Sequence, residues 1–160
     1  MLMKTNLDSI DENIIKLLGE NARISIKDIA AEVYLSSPAV TARIERLQRQ
    51  EIIEGFHVRL NPEALDYHIH AFVNLNLEPG KKKAFLEYVE KVENILSCYC
   101  VTGEYAMLME VAFVNTEALD NFVNDLQRYG KTNTQIVFST LLDQRNVPVN
   151  GKICPKKIKK

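Results

Sequence analysis

The chain has 160 residues, 46% of them hydrophobic and 26% charged, which is globular composition with room for about one to two small domains. No apolar stretch approaches the roughly 20 residues of a membrane span, Met1–Asn6 lacks the basic-then-apolar layout of a secretory leader, and Cys98, Cys100 and Cys154 are too few for a disulfide framework. The net charge of -1 is uneven: residues 1–68 carry 8 Lys/Arg against 11 Asp/Glu, residues 69–143 carry 6 against 10, and residues 144–160 carry 6 against none.

Leu7 to Leu18 opens a first helix. Asp8 or Ser9 can cap its free N–H groups, Asp11 and Glu12 suit the positive end of its dipole, and Ile10, Ile14, Leu17 and Leu18 share a face. Ser25-Ile26-Lys27-Asp28 is a capping box that starts a second short helix, with Ile26, Ile29, Ala30 and Val33 as its apolar face. Ser36-Ser37-Pro38 then supplies a cap and an N-terminal proline for a third helix running to about Gln50. Val40, Ile44 and Leu47 point into a core, while Pro38, Ala39, Ala42, Glu45, Arg46 and Arg49 point away and Thr41 and Arg43 lie on the flanks. Three short helices with a tight turn between the second and third form a helix-turn-helix. Small residues and arginines on its outward face suit duplex DNA, because small side chains admit base edges and arginine forks onto guanine or grips phosphate.

Residues 52–68 form a spacer, with Ile52 to Leu60 predicted as a strand or short hairpin and Asn61 to Tyr67 as a turn with a fragment of helix. Beyond it the elements alternate. Strands are predicted at Ile69–Leu77, Ile95–Val101, Tyr105–Phe113 and Thr134–Leu142, and helices at Gly80–Val92 and Thr116–Tyr129. The order βαββαβ is ferredoxin-like, an antiparallel sheet with both helices on one face. The other face carries apolar residues, so a second subunit is expected to cover it. The fold class is therefore α+β, with a helix-turn-helix domain at 7–51, a linker at 52–68, a sheet domain at 69–143 and a basic tail at 144–160. Such a tail is commonly a solvated end, and it is also a candidate arm for DNA phosphate.

The residues also resemble the Lrp/AsnC (feast/famine) transcription regulators over essentially the whole length. The similar segments are Leu7-Asp8-Ser9-Ile10-Asp11, Asn21-Ala22-Arg23-Ile24-Ser25, Leu35-Ser36-Ser37-Pro38-Ala39-Val40 and Arg43-Ile44-Glu45-Arg46-Leu47. They continue with Ile52-Ile53-Glu54-Gly55-Phe56, Leu60-Asn61-Pro62 and Val101-Thr102-Gly103-Glu104-Tyr105. Each segment alone is weak; their order is specific. The resemblance implies a helix-turn-helix at about 26–45 and a C-terminal domain for effector sensing and assembly, of the RAM or ACT-like kind. It implies homodimers through the sheet, dimers that assemble into octamers, and an amino acid bound between dimers. On this chain the implied effector pocket falls at Val101, Thr102, Gly103, Glu104 and Tyr105, with Thr134, Gln135 and Ile136 opposite.

Three positions depart from the family pattern. Tyr34 and Glu51 stand where the family usually has glycine, and a non-glycine residue in a left-handed turn costs roughly 1–2 kcal/mol, which favours reshaped turns. Ala106 stands where the family turn often carries an aspartate, so that carboxylate is missing for a ligand's ammonium group.

The expected DNA-binding set is Lys27, Ser36, Ser37, Pro38, Thr41, Arg43, Arg46 and Arg49, with Lys27 and Arg49 assigned to phosphate; Arg59 in the spacer is a further phosphate candidate. A two-fold dimer would present two recognition helices to successive major grooves, about 34 Å apart. No catalytic residues, metal site or cofactor are expected. Cys98 and Cys100 share one sheet face as small side chains, His68 and His70 lack partners at metal spacing, and no nucleophile signature or phosphate-cradling glycine loop occurs. Some haem-pathway decarboxylases resemble this fold, but the histidine and arginine that distinguish them are absent beside Cys98-Tyr99-Cys100. The expected location is the cytoplasm, on the nucleoid, with no membrane partner. A nucleoid-type DNA wrapper without a free amino-acid ligand is the alternative; a small ratio of operator to random affinity would identify it, since a specific regulator shows about 10³-fold or more.

Overall fold

The computed structural model describes residues 7–142 and 146–149. They form two compact units, one of residues 7–59 with 146–149 and the other of residues 60–142.

In the first unit, α1 spans Ser9–Glu20 and is capped by Asp8, whose carboxylate accepts from Asp11 N at 2.8 Å while Asp8 N donates to the Asp11 carboxylate at 3.2 Å. The reciprocal bonds satisfy N–H groups that the first helical turn leaves open. Ser25 caps α2 (Ile26–Glu32) by accepting from Asp28 N, and Ser36 caps α3 (Ser37–Arg49) by accepting from Ala39 N. Ile14, Ile29, Val40 and Leu47 are fully buried where the three helices meet. Burying a side chain of this size contributes roughly 1.5–3 kcal/mol.

The two turns at Tyr34 and Glu51 are not reshaped. Both residues sit at φ 55°, in the left-handed region. Leu35 N still donates to Ala30 O at 3.0 Å, and Ile52 N to Leu47 O at 3.0 Å. Two exposed non-glycine residues thus stand in a backbone conformation that glycine adopts without strain, within turns closed by these hydrogen bonds.

The strand expected over Ile52–Leu60 does not form. Ile52 and Ile53 instead pack on the helical core, and Gly55–Leu60 has no ladder partner among the described residues. Phe56, Val58 and Leu60 alternate as strand residues would, and all three are exposed. Pattern without a partner gives extended chain, because the ladder is what defines a strand. A single 3-10 turn at Glu63–Leu65 follows and ends on Asp66, at φ 63°.

The second unit is the βαββαβ arrangement. Its elements are β1 (Ile69–Leu77), α4 (Lys82–Val89), β2 (Ile95–Cys100), β3 (Met107–Phe113), α5 (Thr116–Gln127) and β4 (Gly130–Ile136). The strands lie antiparallel in the order β2-β3-β1-β4. Ala71, Val73, Leu75, Met107, Met109 and Val111 face the helices and bury against Phe85, Phe122 and Leu126. Alternate residues occupy the opposite face: His70, Phe72 and Asn74 of β1, Leu108 and Glu110 of β3, and Tyr99 of β2.

The last strand begins and ends earlier than its expected span of Thr134–Leu142. Gly130 pairs with Leu77, and a side chain there would bring its Cβ within 2.0 Å of Asn76 O. That close approach needs glycine and fixes the register. Counting from it, the ladder reaches Ala71↔Ile136, and a final bond runs from Val137 N to His70 O at 2.8 Å, beside the first residues of β1. Phe138, Leu141 and Leu142 lie past the ladder and are exposed.

Candidate nucleic-acid interface

The N-terminal half of α3 is an exposed, slender surface. Ser36, Ser37, Pro38 and Thr41 are all exposed, with the Thr41 hydroxyl donating to Ser37 O at 3.1 Å. Arg49 at the far end is exposed and lies 3.8 Å from Glu45 one turn back. Lys27 near the start of α2 is exposed as well, as is Arg59 in the spacer.

Arg43 and Arg46 are placed differently from the rest of the expected set. Arg43 Nη1 donates to the Asp8 carboxylate at 2.7 Å and to the Asp11 carboxylate at 2.8 Å, and Arg46 Nη2 donates to the second Asp11 oxygen. Asp11 is fully buried, whereas the two arginine side chains remain 25% and 39% exposed. A buried carboxylate needs such partners, because an unpaired charge out of water is costly. The Asp11 backbone N–H and then the Arg43 guanidinium hold the Asp8 carboxyl below its ordinary range; Asp8 and Asp11 in turn raise Arg43. The capping carboxylates of α1 therefore clamp α3 at a fixed angle. Sequence reasoning treated Asp8 and Asp11 as helix-end residues only. The signal was present: two acids three apart on one helix and two arginines three apart on another match face to face.

The second expected site divides within one subunit. Val101–Ala106 form the exposed turn joining β2 to β3, closed by Val101 N donating to Ala106 O at 2.9 Å, with Gly103 at φ 124°. Thr134, Gln135 and Ile136 lie on β4, the opposite edge strand. Two to three inter-strand spacings, about 10–14 Å, separate the strands that carry the two groups. One subunit does not bring them into a single pocket. Tyr105 and Ala106 are half-buried; Thr102, Gly103 and Glu104 are exposed.

Among the described residues no cluster of three or more His, Cys, Asp or Glu is placed to hold a metal ion, and no helix is long and apolar enough to cross a membrane. Cys98 sits on the helix-facing side of β2, opposite Met109, and burial, then Cys100, pushes its thiol up from the ordinary value.

Residues 7–54 match the winged helix-turn-helix DNA-binding model, and residues 70–147 match the Lrp/AsnC ligand binding domain. The HTH-type transcriptional regulator LrpA of Bacillus subtilis is 33% identical over 132 residues, 82% of this chain and 97% of the relative. The chain belongs to the Lrp/AsnC family.

Another relative, the regulator FL11 of Pyrococcus furiosus, is 31% identical over 150 residues, covering 92% of this chain and 99% of its own. Among solved structures, Bacillus subtilis LrpC superimposes with a TM-score of 0.82 at 27% identity, over 86% of this chain and 99% of that one. A transcriptional regulator of Neisseria meningitidis, solved with L-methionine, gives 0.84 at 25% identity, over 90% and 97%. Like its relatives, this Lrp/AsnC protein is a DNA-binding transcriptional regulator with a helix-turn-helix head and a ligand-binding sheet domain. Its Asp8–Asp11–Arg43–Arg46 clamp joins α1 to α3 within that head.

Proposed function

We propose that α3 enters the major groove with Ser36, Ser37, Pro38 and Thr41 against base edges and adjoining backbone, and that Lys27 and Arg49 hold phosphate. The observation that carries this reading is the exposure of those six side chains, with Lys27 on α2, Ser36 at the cap of α3, and Ser37, Pro38, Thr41 and Arg49 on α3, the helix that Arg43 and Arg46 join to α1. Small residues at the leading end permit close approach, and the charged residues flank them. Arg43 and Arg46 act first as clamp residues, and their half-exposed guanidiniums turn a second edge toward backbone phosphate.

Two copies are needed to read a duplex with two-fold symmetry, and pairing through the sheet domain supplies them. The helix-free sheet face with Phe72, Leu108 and Tyr99 supports this, as do the unpaired Phe56, Val58 and Leu60. Assembly of dimers into octamers would bring a Val101–Tyr105 turn against Thr134–Ile136 of another copy, which the separation of these groups in one subunit requires. An amino acid is the effector class for that seam. Its support is the ligand-binding domain match and the methionine complexes of the Neisseria regulator and of the feast or famine regulatory protein of Mycobacterium tuberculosis. Ala106 supplies no carboxylate, so an ammonium group must be met by Glu104 or by backbone carbonyls. The protein then works on DNA in the cytoplasm, with the effector shifting the assembly state and regrouping the heads.

Selection of bound genomic fragments by the purified protein, with and without each of the twenty amino acids, tests the reading. A discrete set of fragments, altered by one or more amino acids, is expected. Uniform recovery of all fragments would point to the wrapper instead, and no heat of amino-acid binding with unchanged sedimentation would remove the effector.

A further inference from the structure

One edge of the sheet gathers sulfur. Cys98 stands opposite Met109 and Cys100 opposite Met107 in the antiparallel register of β2 and β3. Residues directly opposite share a face, as do residues two apart along a strand. All four side chains therefore lie on the helix-facing side, where Met107 and Met109 are buried and Cys98 packs on the same core. Opposite pairs place their Cβ atoms about 4.5–5.5 Å apart, and the two cysteines follow one another at about 6.4–6.8 Å, two strand residues.

A buried methionine or a half-buried thiol is ordinary filling for a core. The difference here is access. β2 is an edge strand, Cys98 is half-buried and Cys100 at the strand end is exposed, both as free thiols. An ion entering from that end meets the thiols first and finds thioether behind them. The donor set also selects the ion. Thiolate with thioether suits monovalent copper, whereas zinc takes thiolate and imidazole and hard cations take oxygen. Cys100 and Met107 stand at the two ends of the Val101–Ala106 turn, which Val101 N closes by donating to Ala106 O at 2.9 Å. The sulfur cluster thus lies at the root of that turn.

We infer that Cys98 and Cys100, with Met107 and Met109 behind them, form a binding site for a soft monovalent cation of the copper(I) class. The two thiolates bridge the ion along β2, and a thioether from β3 closes it from the side, a reach that the flexible, polarizable methionine side chain allows. On binding, two sulfur–metal bonds form, the two thiol protons pass to solvent, and no atom changes oxidation state. The inference rests on the β2–β3 register and is independent of the DNA and amino-acid readings. Cys154 and the rest of the basic tail beyond Val149 lie outside the described residues.

The test titrates the full-length protein with copper(I) under anaerobic ascorbate, in competition with the chromophoric chelator bicinchoninate. One copper(I) per chain is expected in the parent and in Cys154→Ser, with an X-ray absorption shell made of sulfur alone. Loss of a group merely behind a metal ligand costs about 10–100-fold in affinity, so Cys98→Ser with Cys100→Ser is expected to lose at least about 100-fold and Cys100→Ser alone at least about tenfold. Because Cys100 is exposed, the single variant should melt as the parent does, which separates lost ligation from lost folding. Met107→Leu with Met109→Leu conserves core volume and is expected to cost about tenfold. Copper binding that survives in the double serine variant overturns the inference, as does binding lost with Cys154→Ser or a shell of nitrogen and oxygen. Zinc(II) held as tightly as copper(I) overturns the ion class, and unchanged affinity in the double leucine variant removes the thioethers from the site.

Discussion

Asp11→Asn is the most informative single substitution in the head. The amide keeps the shape of the carboxylate and can still accept from Asp8 N, but it removes the charge that Arg43 and Arg46 share. Removing one partner of a buried pair costs about 3–5 kcal/mol when the remaining charge stays buried. Here the arginine side chains are 25% and 39% exposed and regain some water, so the expected loss is about 2–3 kcal/mol. For a domain of this size each kcal/mol moves the midpoint by ≈ 4–8 °C, which gives a fall of roughly 10–20 °C for the head. Helical circular dichroism on heating measures it, with the sheet-domain transition as an internal reference. The double-mutant cycle with Arg46→Gln should return a coupling of about 1 kcal/mol or more. A midpoint within 2 °C of the parent would refute the clamp and return both arginines wholly to DNA contact.

Tyr34→Gly and Glu51→Gly should each stabilise the head by about 0.5–1 kcal/mol, because relief of left-handed strain exceeds the entropy lost by glycine; urea midpoints of the single variants check this, and a decrease at both positions would count against strain. The Asp8 carboxyl is held below its ordinary value of 3.8, so its contribution is fully present above that value and lost as pH falls through the lower folded value. Melting between pH 5 and pH 2 should show the head losing stability first in acid, and Asp8→Asn should flatten the curve in that window; an identical acid slope in the variant would remove Asp8 as the cause. Gly130→Ala places a Cβ against Asn76 O and should cost the sheet domain roughly 1–3 kcal/mol, read as a lower second transition; an unchanged transition would show that the β1–β4 register is not fixed there.

Much of the architecture was legible because periodicity and caps agree in this chain. Ser25 and Ser36 cap the helices they were expected to open, and Ile69–Leu77 forms the strand that its alternation predicts. The errors arose where the deciding contact is distant in sequence. Thr134–Leu142 looks like a strand from its apolar residues, but β1 sets the length of its partner, and Gly130 sets the register. Ile52–Leu60 carries strand chemistry without an edge to pair with inside the described chain. At the candidate interface, the outward residues of α3 followed from the helical wheel, whereas the attachment of Arg43 and Arg46 to Asp8 and Asp11 spans more than thirty positions. Local spacing reveals which side chains share a face, and it says less about which opposing face they meet.

The uncovered Phe138, Leu141 and Leu142, with Phe56 and Val58, set a condition on how this protein persists as a solute. Exposed apolar side chains that lie together mark surface that another molecule commonly covers. Where another copy does so, folding and association become one equilibrium, and heat resistance climbs as the protein is concentrated. Diluted samples would then lose structure at temperatures that dense ones survive, so the abundance of the chain becomes a determinant of its own integrity.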